Sequence, residues 1–282
     1  MTTEVHRPSD IQLGRIAYRR GKAIRSVLLA ALSTAVFGTL IGVLVTGSPG
    51  WPRVKQSFFD PSVARKFLPS ILEGFWLNIR LFVVCAAGAL LLGLIASVLR
   101  TLRGPVFFPV RTLATIYTYT FRGLPLIITI YLFAYGIPGL RLQGTPSVVV
   151  LGGAAITITY GSYIAEVLRA GIESVHPSQM AAARSLGLGY RQSMRYVVLP
   201  QAVRRASPAL LNDVVSMQKD VGLISLAGPI DAIRAAQIGA AQSANFTPYV
   251  VAGVLFVLFA LPLIGVTDYM TLRAARRQNA GT

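Results

Sequence analysis

Leu81-Phe82-Val83-Val84-Cys85-Ala86-Ala87-Gly88-Ala89-Leu90-Leu91-Leu92-Gly93-Leu94-Ile95-Ala96-Ser97-Val98-Leu99 holds no charged residue and no proline. It is the heart of an apolar run from about Trp76 to Leu99. At 1.5 Å of rise per residue, such a run crosses a hydrocarbon core of about 30 Å as one helix. The run ends in Arg100 and Arg103, cations suited to the headgroup region and not to the core. A chain built around this stretch folds in lipid.

Five further runs extend the reading. Ser26 to Gly47 comes first, behind Arg15, Arg19, Arg20, Lys22 and Arg25. It is too long for the apolar part of a signal peptide and no clear small-residue cleavage pattern follows, so it reads as an uncleaved first helix. A run from about Val106 to Gly136 is interrupted at Phe121-Arg122-Gly123-Leu124-Pro125, where Gly123 and Pro125 bend it. Then come about Val148 to Ile164, a weaker and more polar stretch from about Ala202 to Leu226, and about Thr247 to Tyr269. The expected fold is an all-α membrane protein with six transmembrane helices.

Composition agrees with lipid as the main solvent. Of 282 residues 54% are hydrophobic and only 13% charged, whereas soluble domains carry about a quarter charged. Disorder, a disulfide scaffold and a collagen-like fibre are excluded on the same grounds. Cys85 is the single cysteine and leaves no intramolecular disulfide. The net charge of +17 needs no nucleic acid, because Lys and Arg gather in the cytoplasmic loops of membrane proteins. With the N-terminus inside, the inner segments hold the N-terminal cluster, Arg100, Arg103, Arg111, Arg169, Arg184, Arg191, Arg195, Arg204, Arg205 and the terminal Arg273, Arg276 and Arg277. The opposite loops hold Arg53, Lys55, Arg65, Lys66, Arg141 and Arg234. Both termini are therefore expected in the cytoplasm.

Between the fourth and fifth spans lies a stretch of about 35 residues, Glu166 to Pro200, that does not belong in lipid. Its interior reads His176-Pro177-Ser178-Gln179-Met180-Ala181-Ala182-Ala183-Arg184-Ser185-Leu186-Gly187. Pro177 and Ser178 suit a helix start, the alanines are the best helix formers, and Gly187 suits a left-handed stop. The spacing predicts a short cytoplasmic helix with small side chains, either a solvated connector or a piece shaped for close approach by another surface.

These residues resemble the cytoplasmic signature of ATP-binding-cassette importer permeases, which runs Glu-Ala-Ala, three residues, Gly, nine residues, Ile, one residue, Leu-Pro. Ala182-Ala183, Gly187, Leu199 and Pro200 fall in register, with Val197 for Ile and Ala181 for Glu. Phe121-Arg122-Gly123-Leu124-Pro125-Leu126 is similar to the Phe-Arg-Gly-Thr-Pro-Leu of the polar amino-acid branch. Ser162-Tyr163-Ile164-Ala165-Glu166-Val167-Leu168-Arg169-Ala170-Gly171-Ile172 is similar to its Ala-Tyr-x-Ala-Glu-x-x-Arg-Gly-Gly-Ile. Leu199-Pro200-Gln201-Ala202 with Arg204-Arg205, and Lys219-Asp220, resemble further stretches of that branch, Val221-Gly222 standing where it has Thr-Ser.

The resemblance implies a type I importer permease fold in a bacterial inner membrane, with a coupling helix at about 178–187. Gln179, Ala181, Ala182, Ala183, Arg184, Gly187, Leu199 and Pro200 would meet an ATPase subunit. It implies two such subunits carrying the ATP and Mg, a second permease, identical or sister, an extracytoplasmic solute-binding protein and a polar amino-acid cargo moved by alternating access. This chain would bind no cofactor. The expected organisation is a basic cytoplasmic segment 1–25, an extra first helix 26–47, an extracytoplasmic loop 48–73, the permease domain 74–272 and a cytoplasmic tail 273–282.

Motor chemistry is absent from the chain, since none of its four lysines, Lys22, Lys55, Lys66 and Lys219, sits in a phosphate-binding glycine loop. Charged groups at membrane depth cost about 2.5 to 3.5 kcal/mol each and so mark function. Arg122, Asn212, Asp213, Lys219 and Asp220 are candidates for a pathway that receives an ammonium and a carboxylate, and Lys219 and Asp220 could instead pair with each other. Glu166 and Arg169, three residues apart on one helix, are spaced for an ion pair that orients the coupling loop. His6 and His176 are far apart with no cysteine or carboxylate cluster, so no metal site is expected. An ion-gradient transporter is the alternative, but the two related halves it would want are not found. A membrane enzyme lacks its nucleophile-base pair.

Overall fold

A computed structural model describes residues 10–102 and 104–279. His6, Arg103 and the side chains of Arg15, Arg20, Arg276 and Arg277, invoked above for charge and topology, lie outside the described residues. The chain divides into two units, Met1–Gln56 and Ser57–Thr282.

The first unit is dominated by α1 (Asp10–Thr46), which starts within the basic segment. Its part from Gly21 to Thr46 is long and apolar enough to cross a membrane, and none of it is buried. Thr34 and Thr46 donate their hydroxyls to the carbonyls of Ala30 and Gly42 at 2.8 and 2.7 Å, so neither needs water. A turn at Ser48-Pro49-Gly50 leads to the short α2 (Trp51–Phe58).

The second unit is organised on α3 (Pro61–Thr101), capped by Asp60, whose Oδ1 accepts from the N–H groups of Ser62 and Val63 at 2.8 and 3.3 Å. The stretch 48–73, expected as a loop, thus holds α2 and the first turns of α3. After a single 3₁₀ turn at Pro105–Phe107, α4 (Phe108–Gly123) ends where Leu124 turns extended, as a residue before proline must, and the chain bends by 110°. It continues as α5 (Leu126–Tyr131), a π-turn (Leu132–Gly136) and the single turn α6 (Ile137–Gly139).

Next, α7 (Val148–Glu173) runs beside α3, and the largest core lies between them. Leu81, Cys85 and Ala89 of α3 meet Ile156, Tyr160 and Ile164 of α7 there, with Met217 and Ile224 closing the far side. The two backbones approach so closely that a Cβ on Gly93 would fall 2.5 Å from Ile164 Cγ2 and 2.9 Å from the Gly161 carbonyl.

The remaining helices are α8 (Pro177–Ser185), the short α9 (Tyr190–Ser193) with a π-turn (Met194–Val198), α10 (Leu199–Asp220) with a 3₁₀ extension (Val221–Ala227), α11 (Ala232–Ser243) and α12 (Thr247–Asn279). The fifth crossing is accordingly a bent element, turning by 54° into α11 through Gly228 at φ +114°. Residues 232–243, read above as part of a loop, form a helix whose Ala232, Ala235 and Ala236 pack on Phe67, Ile71 and Phe75 of α3. Phe259 of α12 closes this side edge-on against Phe75 and Phe82. Among the described residues four helices are long and apolar enough to cross a membrane, or up to six when each bent pair counts as one span.

Candidate functional site

The helix α8 is built by its flanks. Pro177 stands in the first turn, where no backbone donor is needed, and the cap is His176, whose Nδ1 accepts from the Ser178 N–H at 3.3 Å. At the other end the N–H groups of Gly187 and Leu188 donate to the carbonyls of Arg184 and Ala183 at 3.0 and 3.2 Å, with Gly187 at φ +86°. That is the left-handed stop read from the sequence.

Gln179, Ala181, Ala182, Arg184 and Gly187 are exposed, and Leu186 is 83% exposed although nothing polar in it requires water. Ala183 is different: it is buried. Met180 packs on a small cluster of Val175, Val198 and Ala202 that roots the helix. Leu199 and Pro200 are exposed too, but they open α10 and do not lie on α8. Gln201 Nε2 lies 3.4 Å from Gln179 Oε1, and the Arg205 guanidinium donates to the Ser174 carbonyl. The first contact fastens α8 to the start of α10, and the second fastens α10 to the end of α7.

Glu166 ties three helices together. One carboxylate oxygen accepts from Arg100 of α3 at 2.8 Å and from Arg169 Nε at 3.2 Å. The other accepts from Arg169 at 2.6 Å and stands 3.6 Å from Arg122, at the end of α4. Arg169 also pairs with Glu173. Arg100 and Glu166 retain only 6% and 16% of their side-chain exposure, which sets this cluster apart from a surface ion pair of small worth. The expected Glu166–Arg169 pair is present, and Arg122, listed above with the pathway candidates, faces it.

The other candidates do not converge. Asp220 accepts from the Tyr160 hydroxyl at 2.8 Å and forms no ion pair with Lys219. Lys219 and Asn212 are exposed. Asp213 Oδ2 is buried with no hydrogen-bond partner, as are Thr159 Oγ1 and Gln218 Oε1. Among the described residues no group of three His, Cys, Asp or Glu side chains gathers for a metal.

Residues 89–276 match the family described as Binding-protein-dependent transport system inner membrane component. The chain belongs to this family. It is a permease of the inner membrane, a transport component and not an enzyme. The probable glutamine ABC transporter permease protein GlnM of Bacillus subtilis is 32% identical over 72% of this permease and 92% of its own length. The arginine transport system permease protein ArtQ of the same organism is 32% identical over 70% and 88%. A crystal structure of an amino acid ABC transporter with histidines superposes with a TM-score of 0.70 at 28% identity, covering 76% of this permease and 98% of that chain. Permeases of amino-acid ABC importers are thus its relatives by sequence and by fold, and α1 and α2 lie outside the matched family region.

Two buried polar residues were missed in the sequence. Asn78, within the second apolar run, donates from Nδ2 to Asp231 Oδ2 at 2.9 Å, and its Oδ1 accepts from the Ala232 N–H at 3.1 Å. Asp231 Oδ1 caps α11 at the Arg234 N–H, 2.8 Å away. A polar residue at the middle of an apolar run was the signal available, but its partner lies 153 residues further on.

Proposed function

We propose that this permease carries polar amino acids into the cell by alternating access, driven by a separate pair of ATPase subunits that hold the ATP and Mg. Both termini lie in the cytoplasm, α8 is the coupling helix, and a second permease and an extracytoplasmic solute-binding protein complete the system. The exposed, short-sided α8 carries this reading: Ala181 and Ala182 let a partner surface approach the backbone, and Leu186 offers apolar area to bury.

The lever follows from the contacts. Movement of the ATPase pulls α8, which is fastened through Gln201 to α10, and α10 in turn through Arg205 to the end of α7. Glu166 passes the displacement from α7 to Arg100 of α3 and to Arg122 beside the break of α4. The broken spans then change their angle around the cargo. Asp213, whose buried oxygen lacks a partner, would replace water at an ammonium, with exposed Asn212 one residue before it and exposed Lys219 six residues after it on α10.

The test is uptake in vesicles holding the permease with the ATPase and binding protein encoded beside it, across a panel of amino acids. ATP-dependent accumulation is expected, and Ala182→Trp should lower ATP hydrolysis stimulated by the loaded binding protein to the basal rate. Uphill accumulation by the permease alone under an ion gradient would overturn the reading.

A further inference from the structure

An apolar groove of about 440 Å³ opens beside the coupling loop, between the end of α3, the end of α7 and the start of α10. Leu94, Val98, Leu168, Ile172, Ala202 and Val203 form its walls. An apolar groove of this volume on a protein surrounded by lipid is filled by an apolar chain, since leaving it void would forfeit contacts on one side.

The sequence that flanks the groove points to the chain's head. From Ser174 to Asn212 the sequence holds five arginines, at 184, 191, 195, 204 and 205, and no Asp or Glu. Arg191 and Arg195 directly follow the groove residues Tyr190 and Met194, and Arg204 follows Val203. All three are exposed, and none is within ion-pair distance of a described carboxylate. The acidic groups of the end of α7, Glu166 and Glu173, are engaged by Arg100 and Arg169. Cations without a carboxylate partner among the described residues, Arg195 stacked only on the Tyr196 ring, flank an apolar slot and complement a molecule that joins an acyl chain to a phosphate.

We propose that this groove seats an acyl chain of an anionic phospholipid whose phosphate is met by Arg191, Arg195 and Arg204. The site rests on the cytoplasmic placement of the coupling loop proposed above, and it makes the inner leaflet a structural part of the lever: the lipid fills the joint between α3, α7 and α10, the three helices that α8 must move together.

Native mass spectrometry of the intact complex with its ATPase, purified in mild detergent and exchanged into discs of phosphatidylcholine with or without phosphatidylglycerol, reads the site. Phosphatidylglycerol should be retained in preference to phosphatidylcholine. Arg191→Gln with Arg195→Gln should weaken that retention roughly 30-fold, two surface cations near an anionic headgroup. Arg184→Gln, a loss of one charge on α8 away from the groove, should leave retention unchanged. Val203→Trp, which fills the slot without touching charge, should also release the lipid.

A Val203→Cys variant distinguishes occupants, because the native Cys85 is buried. Labelling by a photoactivatable anionic phospholipid supports the proposal, whereas a disulfide between two permease chains at that position, or equal retention of both lipids by every variant, overturns it. Normal ATP-driven uptake with no retained anionic lipid would overturn the lipid site and leave the import reading standing. Retained lipid in a complex that never couples ATP to uptake would do the reverse.

Discussion

Gly187 and Glu166 show how much of the coupling loop depends on single residues. At φ +86° Gly187 occupies the left-handed region, where a β-branched side chain costs about 1 to 3 kcal/mol, and a Cβ there would meet no neighbour. Gly187→Val should therefore leave the spans assembled but fray the end of α8, and ATPase stimulation should fall while the amount of inserted permease stays constant; unaltered stimulation would count against α8 as the contact. Glu166→Gln acts by charge. It strips the carboxylate from Arg100, whose side chain is 6% exposed, and a buried pair broken from one side loses about 3 kcal/mol or more. We expect a clear drop in the melting temperature of the purified complex, partly restored by Glu166→Asp and not by Gln, and an equal melting temperature for all three would show that the cluster is wet and weak. The Glu166–Arg169 spacing and the Gly187 stop were legible in sequence because both are local, set within one or two helical turns. The inward face of Ala183 was not, since three adjacent alanines look alike until Val175 and Val198 decide which way the helix rolls.

At the scale of elements, the bend between α4 and α5 could be read directly, as proline removes a donor and drives Leu124 out of helical geometry. The helix α11 could not. Its sequence, rich in Ala with two Gln and an Arg, lacks the apolar run that marks a span, and it is held by what surrounds it. A Cβ at Gly74 would fall 2.4 Å from the Asp231 carbonyl carbon, so only glycine lets α3 and the start of α11 touch. Asn78 then fixes the register by bonding both Asp231 and the Ala232 N–H. Asn78→Ala leaves those two buried groups without that partner, at about 1 to 3 kcal/mol for each group not otherwise satisfied. The variant should open α11 locally, seen as faster hydrogen exchange across residues 232–243 with α7 unchanged. Uniform exchange across both helices would place Asn78 in global stability and not in the α3–α11 joint.

For the molecule as a whole, the proposed arrangement in the membrane is argued from charge, and it is the premise of every functional statement about α8. The exposed cations of α8, the segment after it and the start of α10, Arg184, Arg191, Arg195, Arg204 and Arg205, fall in one stretch without a single acid. Translocating five guanidinium groups past the core would cost far more than retaining them on the side of synthesis. The buried Cys85 makes this directly measurable, because a new thiol at an exposed site is the only one a polar reagent reaches. Leu186→Cys, on a side chain that is 83% exposed, should react with a membrane-impermeant maleimide in inside-out vesicles and not in intact cells or right-side-out vesicles. Addition of the ATPase subunit to the inside-out vesicles should then protect it, since docking buries the same residue. Labelling from the outer face would invert the topology and remove the coupling helix from reach of any ATP-hydrolysing partner. Labelling from the inner face without protection would keep the topology and move the docking contact elsewhere on the loop.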